Sequence, residues 1–231
     1  MGPKKDVIDI VTELGGIKNP EEARAVLEAK MDAANQAKLN QINNPEILKK
    51  MANAAVLCEP DAVFIATGSE EDRQFVRDLS LKKGEESKLP MDGHTIHYDL
   101  KQEQGRIIDR TFYIHNEGEE VNTLALKKDR AEALDDIRDK MTGIMKGKLM
   151  MVGFYMRGPL GAAAANPAVE ISSSTYVMHS ADILYRNVFA AIDQEVEKLG
   201  HFYTNIHSEG LNRSEDLPNA RVFMDRSHLT T

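Results

Sequence analysis

The segment from residue 146 to residue 176, KGKLMMVGFYMRGPLGAAAANPAVEISSSTY, decides the fold class. Its apolar run over residues 149–155 predicts a buried strand, and residues 169–172 predict a second, short strand. Between them, residues 156–161 place two glycines around a proline, which fixes a tight turn that other groups can approach closely. Such a loop at a strand end is either one wall of a binding site or an ordinary connection, and the residues leave both open.

The sequence on either side of this segment alternates irregularly between strands and helices. Ser69, followed by three acidic residues, caps a helix, and a polar loop over residues 82–93 follows it. Further strands are predicted at residues 61–67, 94–98, 110–115, 201–207 and 220–225. Residues 128–141 predict another helix, and residues 176–199 predict one or two helices that end at Gly200. This irregular order favours an α/β fold with a mixed β-sheet and flanking helices.

The N-terminal part of the chain is predicted to be entirely helical. Asn19 can cap a helix that runs through residue 39, and Asn44 can cap a second helix that runs to residue 58, each with proline at the first helical position. We therefore divide the chain into a helical N-terminal extension, residues 1–57, and a domain of residues 58–231.

The chain ends soon after a predicted strand, VFM at residues 222–224. Nothing follows that strand to pair with it, which favours a truncated product over a natural terminus. A short flexible tail after a finished edge strand is the alternative.

The composition restricts the class of protein. The chain has 231 residues, of which 42% are apolar and 29% charged, so it can bury a sizeable core. A formal net charge of -8 argues against nucleic acid as a partner, and no apolar stretch approaches the roughly 18 residues that span a membrane. The only cysteine, Cys58, excludes an intrachain disulfide. We expect a cytoplasmic protein in which Cys58 is a buried core thiol.

Common signatures of metal and nucleotide chemistry do not occur in this sequence. It has no GxxxxGK[ST] phosphate loop, no HExxH, no paired CxxC, no DxDxDG and no GxSxG. The residues therefore predict no catalytic residue, no metal ligand and no cofactor bound by this chain itself.

Two arginines, Arg106 and Arg110, stand at the start of the strand predicted at residues 110–115. Arginine binds a carboxylate or phosphate through two parallel hydrogen bonds, as a small anionic substrate requires. The alternative is that both are surface arginines that form ion pairs with nearby acidic side chains.

Four motifs occur in a characteristic order: GSEED at residues 68–72, GRI at 105–107 with Thr111 after it, MKGK and FYMRGPLG at 145–148 and 154–161, and VEI followed by STYV at 169–171 and 174–177. In order and approximate spacing they resemble the N-terminal part of GTP-dependent phosphoenolpyruvate carboxykinase, over about residues 45–190. The resemblance implies the corresponding α/β domain, with a mixed sheet and an α-helical preface.

The resemblance also implies a function. Enzymes of this family are lyases of gluconeogenesis that interconvert oxaloacetate and phosphoenolpyruvate with CO2, using GTP and Mn or Mg. An arginine in a mobile loop contacts their substrate, and its position matches Arg106, which would bind and orient the substrate. The family's metal-holding lysine and histidine, phosphate loop and lid do not occur up to Thr231. The resemblance thus implies a substrate-side domain that is inactive without a C-terminal catalytic domain.

Two positions depart from the family pattern. Ile108 stands where an acidic residue is common, with Asp109 one step later, and Arg157 stands as an insertion between Met156 and Gly158. Two other interpretations stay open. The chain could be a stand-alone, non-catalytic derivative that binds a small organic acid or a protein partner, or an unrelated α/β interaction domain.

Overall fold

The computed structural model describes residues 7–99, 108–122, 124–210 and 217–231. The α-helices of these ranges are α1 (Ile10–Gly15), α2 (Pro20–Glu28), α3 (Ala33–Leu39), α4 (Pro45–Cys58), α5 (Glu70–Lys83), α6 (Arg130–Met141), α7 (Thr175–Leu184) and α8 (Ile192–Leu199). The strands are β1 (Ala62–Ala66), β2 (Ser87–Lys88), β3 (Thr95–Ile96), β4 (Thr111–His115), β5 (Lys127–Asp129), β6 (Leu149–Arg157), β7 (Asn166–Ser172), β8 (Arg186–Asn187), β9 (Tyr203–His207) and β10 (Val222–Met224). None of the helices in the described ranges combines the length and apolar character needed to cross a lipid bilayer.

Strand β6 is the centre of a mixed five-stranded sheet. It pairs in parallel with β1 and antiparallel with β7, which in turn pairs in parallel with β9. The short strand β8 pairs with Tyr155 and Met156 of β6, beyond the point where β1 ends. This mixed sheet and its flanking helices confirm the predicted α/β class.

The N-terminal helices α2 to α4 cover one face of this sheet. Successive strand residues alternate between faces, so Val152 and Phe154 of β6 point to the same side. They are fully buried in one cluster with Leu27 of α2 and Met51 of α4. Burying one such side chain stabilises the fold by about 1.5–3 kcal/mol. The division at residue 57 stays a prediction, while the buried residues on both sides of it share this cluster.

Helices α5 and α7 cover the other face of the sheet. Met151 and Tyr155 of β6 point to that side and pack with Val76 of α5 and Met178 of α7. Ser69 caps α5 as predicted, since its side chain accepts a hydrogen bond from the Asp72 backbone N–H. The sheet is thus enclosed between two helical layers near β1 and β6.

The helix predicted to continue from Asn19 through residue 39 is interrupted. Helix α2 ends at Glu28, and Asp32 then caps a new helix, accepting a hydrogen bond of 2.8 Å from the Asn35 backbone N–H. Gln36 donates to the backbone carbonyls of Glu28 and Met31 at 3.0 and 3.2 Å, which fixes the turn between the two helices. An aspartate within a helical pattern competes for backbone groups in this way.

A second, parallel sheet contains β10, β4 and β5 in that order. Strand β10, which we expected to lack a partner, pairs with β4 from Val222↔Thr111 to Met224↔Tyr113. The prediction was wrong because it considered only the residues after β10, whereas the partner strand β4 precedes β10 by more than a hundred residues. Thr230 then forms isolated bridges with Thr204 and Asp225.

Candidate functional site

Arg106, the residue expected to bind substrate, lies outside the described residues, so its predicted role stays a prediction. The nearest described residues are Asp99 on one side and the short 3-10 helix Ile108–Arg110 on the other. Arg110 Nη1 donates hydrogen bonds to the carbonyl oxygens of Leu217 and Pro218 at 2.7 and 2.9 Å. The second arginine of the predicted pair is therefore committed to joining the start of β4 to a neighbouring segment.

His97 fixes the chain just before the Arg106 segment. Its side chain is 5% exposed, and its Nδ1 lies 2.5 Å from the backbone oxygen of Glu85. Its Nε2 lies 2.8 Å from Asp99 Oδ1. The imidazole stacks on the Tyr176 ring, with centroids 3.6 Å apart and planes 13° from parallel. These contacts fix the His97 side chain between Glu85, Asp99 and Tyr176.

Glu85 connects this region to the N-terminus of α7. Its carboxylate accepts hydrogen bonds from Ser174 Oγ at 2.8 Å and from the Tyr176 backbone N–H at 2.9 Å, and Lys83 Nζ lies 3.2 Å away. Burial pushes the pKa of Glu85 upward, but these partners outweigh burial and hold the pKa below its ordinary value. A carboxylate at a helix N-terminus is also favoured by the helix dipole.

Polar side chains gather where β7 and β9 end. Ser172 and His207 are paired in register, and Ser172 Oγ lies 3.0 Å from His207 Nδ1. One residue further along each chain, Ser173 Oγ lies 3.1 Å from Ser208 Oγ. Ligands of α/β proteins bind beyond the carboxyl ends of parallel strands, so this end of the sheet is a suitable site.

His207 is the titratable group of this strand end. Part of the residue reaches solvent, but the surrounding protein displaces water from the ring and lowers its pKa. The negative charge of Glu85 opposes this shift, and the positive charge of Lys148 reinforces it. Lys83 Nζ also donates to the Ser173 carbonyl oxygen at 3.0 Å. Hydroxyl groups, an imidazole and two ammonium groups suit the binding of a small anionic acid.

The Gly-Pro loop after β6 belongs to a different end of the sheet. Met151 pairs with Ser172 at one end of β6, whereas Arg157 pairs with Asn166 at the other. The pairing continues without a bulge through Met156 and Arg157, so Arg157 occupies a regular position in the strand. The loop is therefore no wall of the site at Ser172 and His207.

One group of potential metal ligands occurs in the described ranges, formed by Asp9, Asp225 and His228. Lys50 Nζ lies 2.5 Å from Asp9 Oδ1, and Arg130 Nη1 lies 3.8 Å from Asp225 Oδ2. The pKa of Asp225 is lowered overall. Burial alone would raise it, but the hydrogen bond and positive charge of His228 outweigh the effect of burial. Since ammonium and guanidinium groups already neutralise these carboxylates, the arrangement does not fit a metal ion.

Sequence reasoning missed four residues of this site: Glu85, His97, Ser172 and His207. Glu85 lies in the segment predicted to be a polar loop, yet it is only 9% exposed. The run Ser172-Ser173-Ser174 directly after a buried strand was the available signal, because such residues at a strand end and a helix start mark binding sites. No pattern in the sequence indicated that His97 packs on Tyr176.

Residues 50–230 match the family model described as phosphoenolpyruvate carboxykinase N-terminal domain. The chain belongs to this family. The phosphoenolpyruvate carboxykinase [GTP] of Pyrococcus furiosus is 36% identical over 211 residues, which cover 88% of this chain and 33% of that protein. Its counterpart in Thermococcus kodakarensis is 37% identical over 86% of this chain and 32% of its own length. That of Saccharolobus solfataricus is 34% identical over 84% and 30%.

The carboxykinase N-terminal domain formed by this chain spans about a third of the length of these relatives. The matched residues include both the Arg106 segment and the strand ends at Ser172 and His207. The family resemblance drawn from the four motifs is thereby confirmed.

Proposed function

We propose that this chain is the substrate-side part of a GTP-dependent phosphoenolpyruvate carboxykinase, a cytoplasmic lyase of gluconeogenesis. The enzyme would interconvert oxaloacetate and phosphoenolpyruvate with CO2, using GTP and Mn or Mg. The observation that carries the proposal is the family match over residues 50–230, together with relatives that all bear the name phosphoenolpyruvate carboxykinase [GTP]. Those names favour the enzyme over a stand-alone binding protein.

In this proposal Arg106 binds the substrate carboxylate and orients it, without transferring a proton. A guanidinium suits an anionic substrate and the developing enolate charge. Support comes from the rigid attachment of the neighbouring chain, since His97 is fixed between Glu85 and Asp99.

GTP supplies the phosphoryl group, and a divalent metal ion stabilises charge on the oxygens that react. The described residues of this chain do not fit either group. The sequence lacks a phosphate loop, and in the described ranges Lys50 and Arg130 already pair with the carboxylates of the one three-ligand cluster. We therefore assign GTP, metal and all catalytic residues to a C-terminal domain as partner, and expect residues 58–231 to form the substrate-side domain beside a helical extension of residues 1–57.

The test measures binding and turnover separately. Phosphoenolpyruvate is titrated into the 231-residue chain by NMR, with Arg106→Gln as the variant and Arg138→Gln as the control. Arg138 is an exposed helix residue paired with Asp135. We expect Arg106→Gln to weaken binding at least about tenfold, as for one charged hydrogen-bonding pair, and the control to bind normally. Equal binding by wild type and Arg106→Gln would contradict the role of Arg106.

Turnover is tested with oxaloacetate, GTP and Mn in the presence of the chain alone. We expect no phosphoenolpyruvate above the background rate. Product formation at the rate of an intact enzyme would contradict the assignment of catalysis to a separate domain, whatever the binding data show.

A further inference from the structure

A groove lies at the carboxyl end of β6, away from the strand ends at Ser172 and His207. It is bounded by Arg157, Gly158 and Pro159 of the loop after β6 and by Leu184, Tyr185 and Arg186 between α7 and β8. Its volume of about 500 Å³ is in the range of ligand-binding pockets. It is therefore large enough for a small organic molecule.

The guanidinium of Arg157 is held over an aromatic ring at this groove. Its Cζ lies 4.9 Å from the centroid of the Tyr185 ring, a cation–π contact. The Tyr185 ring in turn packs at 6.4 Å from that of Tyr155, whose residue is only 3% exposed. Stacking fixes the plane of the guanidinium and leaves its N–H groups available at the edge.

Neither Arg157 nor Arg186 forms an ion pair with a carboxylate in the described part of the chain, although the sequence has 37 acidic residues. The carboxyl group of Glu170 lies near enough for Arg157 to influence its pKa. That carboxyl group instead accepts a hydrogen bond from Asn205 at 2.8 Å, and burial raises its pKa. Within the described ranges the groove therefore carries two guanidinium groups that are not paired directly with a carboxylate.

The remaining walls of the groove are apolar and rigid. Leu184 is 68% exposed beside Pro159, and Met156 forms a buried part of the lining. The loop is fastened to α8, since the Gly161 N–H donates to Glu195 Oε2 at 3.0 Å and Lys198 Nζ donates to the Gly161 carbonyl at 2.6 Å. A fixed loop lowers the entropic cost of binding.

We propose that this groove binds a small organic anion, whose charged group lies between Arg157 and Arg186 and whose apolar part lies on Leu184 and Pro159. The charged group is a carboxylate or a phosphate, since the arginine fork matches both. The groove lies at the opposite end of β6 from the strand ends at Ser172 and His207, and the inference does not depend on the proposed catalytic function.

The test uses probes that share one apolar ring and differ in the charged group. Phenyl phosphate, benzoate and the neutral benzyl alcohol are titrated into the 231-residue chain and followed by NMR. The variants Arg157→Gln and Arg186→Gln each remove one positive charge of the groove. Both residues are exposed, as is Arg138 on α6, so Arg138→Gln is the matched control. We expect one of the anions to bind, and its affinity to fall about tenfold or more in each groove variant but not in the control.

The identity of the anion that binds distinguishes a phosphate site from a carboxylate site. A further variant, Leu184→Ser, should weaken phenyl phosphate or benzoate more than it weakens inorganic phosphate or acetate. The proposal is overturned if neither anion binds, if benzyl alcohol binds as tightly as the anions, or if Arg138→Gln loses as much affinity as the groove variants.

Discussion

Glu85 and Ser174, 89 residues apart in sequence, are joined by a buried hydrogen bond of 2.8 Å from Ser174 Oγ to Glu85 Oε2. Ser174 caps α7 through its bond with the Val177 N–H, and Glu85 accepts from the Tyr176 N–H of the same helix turn. The backbone oxygen of Glu85 faces His97. One residue therefore connects a helix start to the chain that leads towards Arg106.

Replacing Glu85 by glutamine should destabilise the fold. The amide loses the charge that Lys83 and two hydrogen-bond donors stabilise, so we expect a loss of about 1.5–3 kcal/mol in the free energy of unfolding at pH 7. Urea denaturation measures the change. Glu197→Gln, at an exposed position, is the matched control and should stay within about 0.5 kcal/mol of wild type.

The same variant should alter the acid sensitivity of the protein. Because the folded pKa of Glu85 lies below its unfolded value of about 4.3, its ionisation stabilises the fold above that pH. The contribution is lost as the pH falls through the folded pKa. Wild type and Glu85→Gln should thus converge in stability as the pH is lowered from neutral to below the unfolded pKa of about 4.3. A stability difference that stays constant over this range would contradict the assignment.

Gly15, the last residue of α1, has no room for a side chain. A Cβ atom added there would lie 2.6 Å from the Asn53 Cα, which is too close for two carbon atoms. Asn53 is fully buried and bonds both backbone groups of Ile17, at 2.7 and 2.8 Å. Alanine normally favours a helix by about 1 kcal/mol over glycine, but here we expect a loss of about 2 kcal/mol. Thermal unfolding of Gly15→Ala measures the change.

Gly84→Ala is the comparison for that variant. Gly84 has φ of +73°, but no atom lies within 4 Å of an added Cβ. Only backbone strain opposes the substitution, so a loss of about 1 kcal/mol is expected. A Gly15→Ala protein as stable as wild type would show that Asn53 can move away without loss.

Lys50 and Asp9 form a nearly buried ion pair, which Thr230 completes at 2.5 Å from Lys50 Nζ. Lys50→Met leaves the carboxylate without its partner, and we expect a loss of about 3 kcal/mol. The double variant Asp9→Asn/Lys50→Met should lose less than the sum of the two single variants. Additive losses, measured by urea denaturation, would argue against a direct interaction.

Cys58 should be chemically inert while the protein is folded. Its residue is fully buried, and desolvation raises the pKa of the thiol to about 12, so almost no thiolate exists at pH 8. A disulfide reagent should label Cys58 only at the rate of unfolding and quickly in denaturant. Fast labelling in native buffer would show that the C-terminus of α4 opens readily.

Much of the fold could be predicted because its signals are local. Asn19, Asn44 and Ser69 each accept a hydrogen bond from an N–H two or three residues ahead, so the sequence alone places these helix starts. The alternating and apolar runs likewise identify β1, β6 and β7. The four ordered motifs identified the family, which the match over residues 50–230 confirms.

Contacts between distant parts of the chain were decided by the tertiary structure. Residues 82–93 are polar and predict a loop, yet Glu85 is buried because α7 supplies hydrogen-bond donors to its carboxylate. Arg110 matched the pattern of an anion-binding residue, but carbonyl groups more than a hundred residues away occupy its guanidinium. The sequence alone determines which side chains carry a charge. Which group each charged side chain contacts depends on the segments that folding brings together.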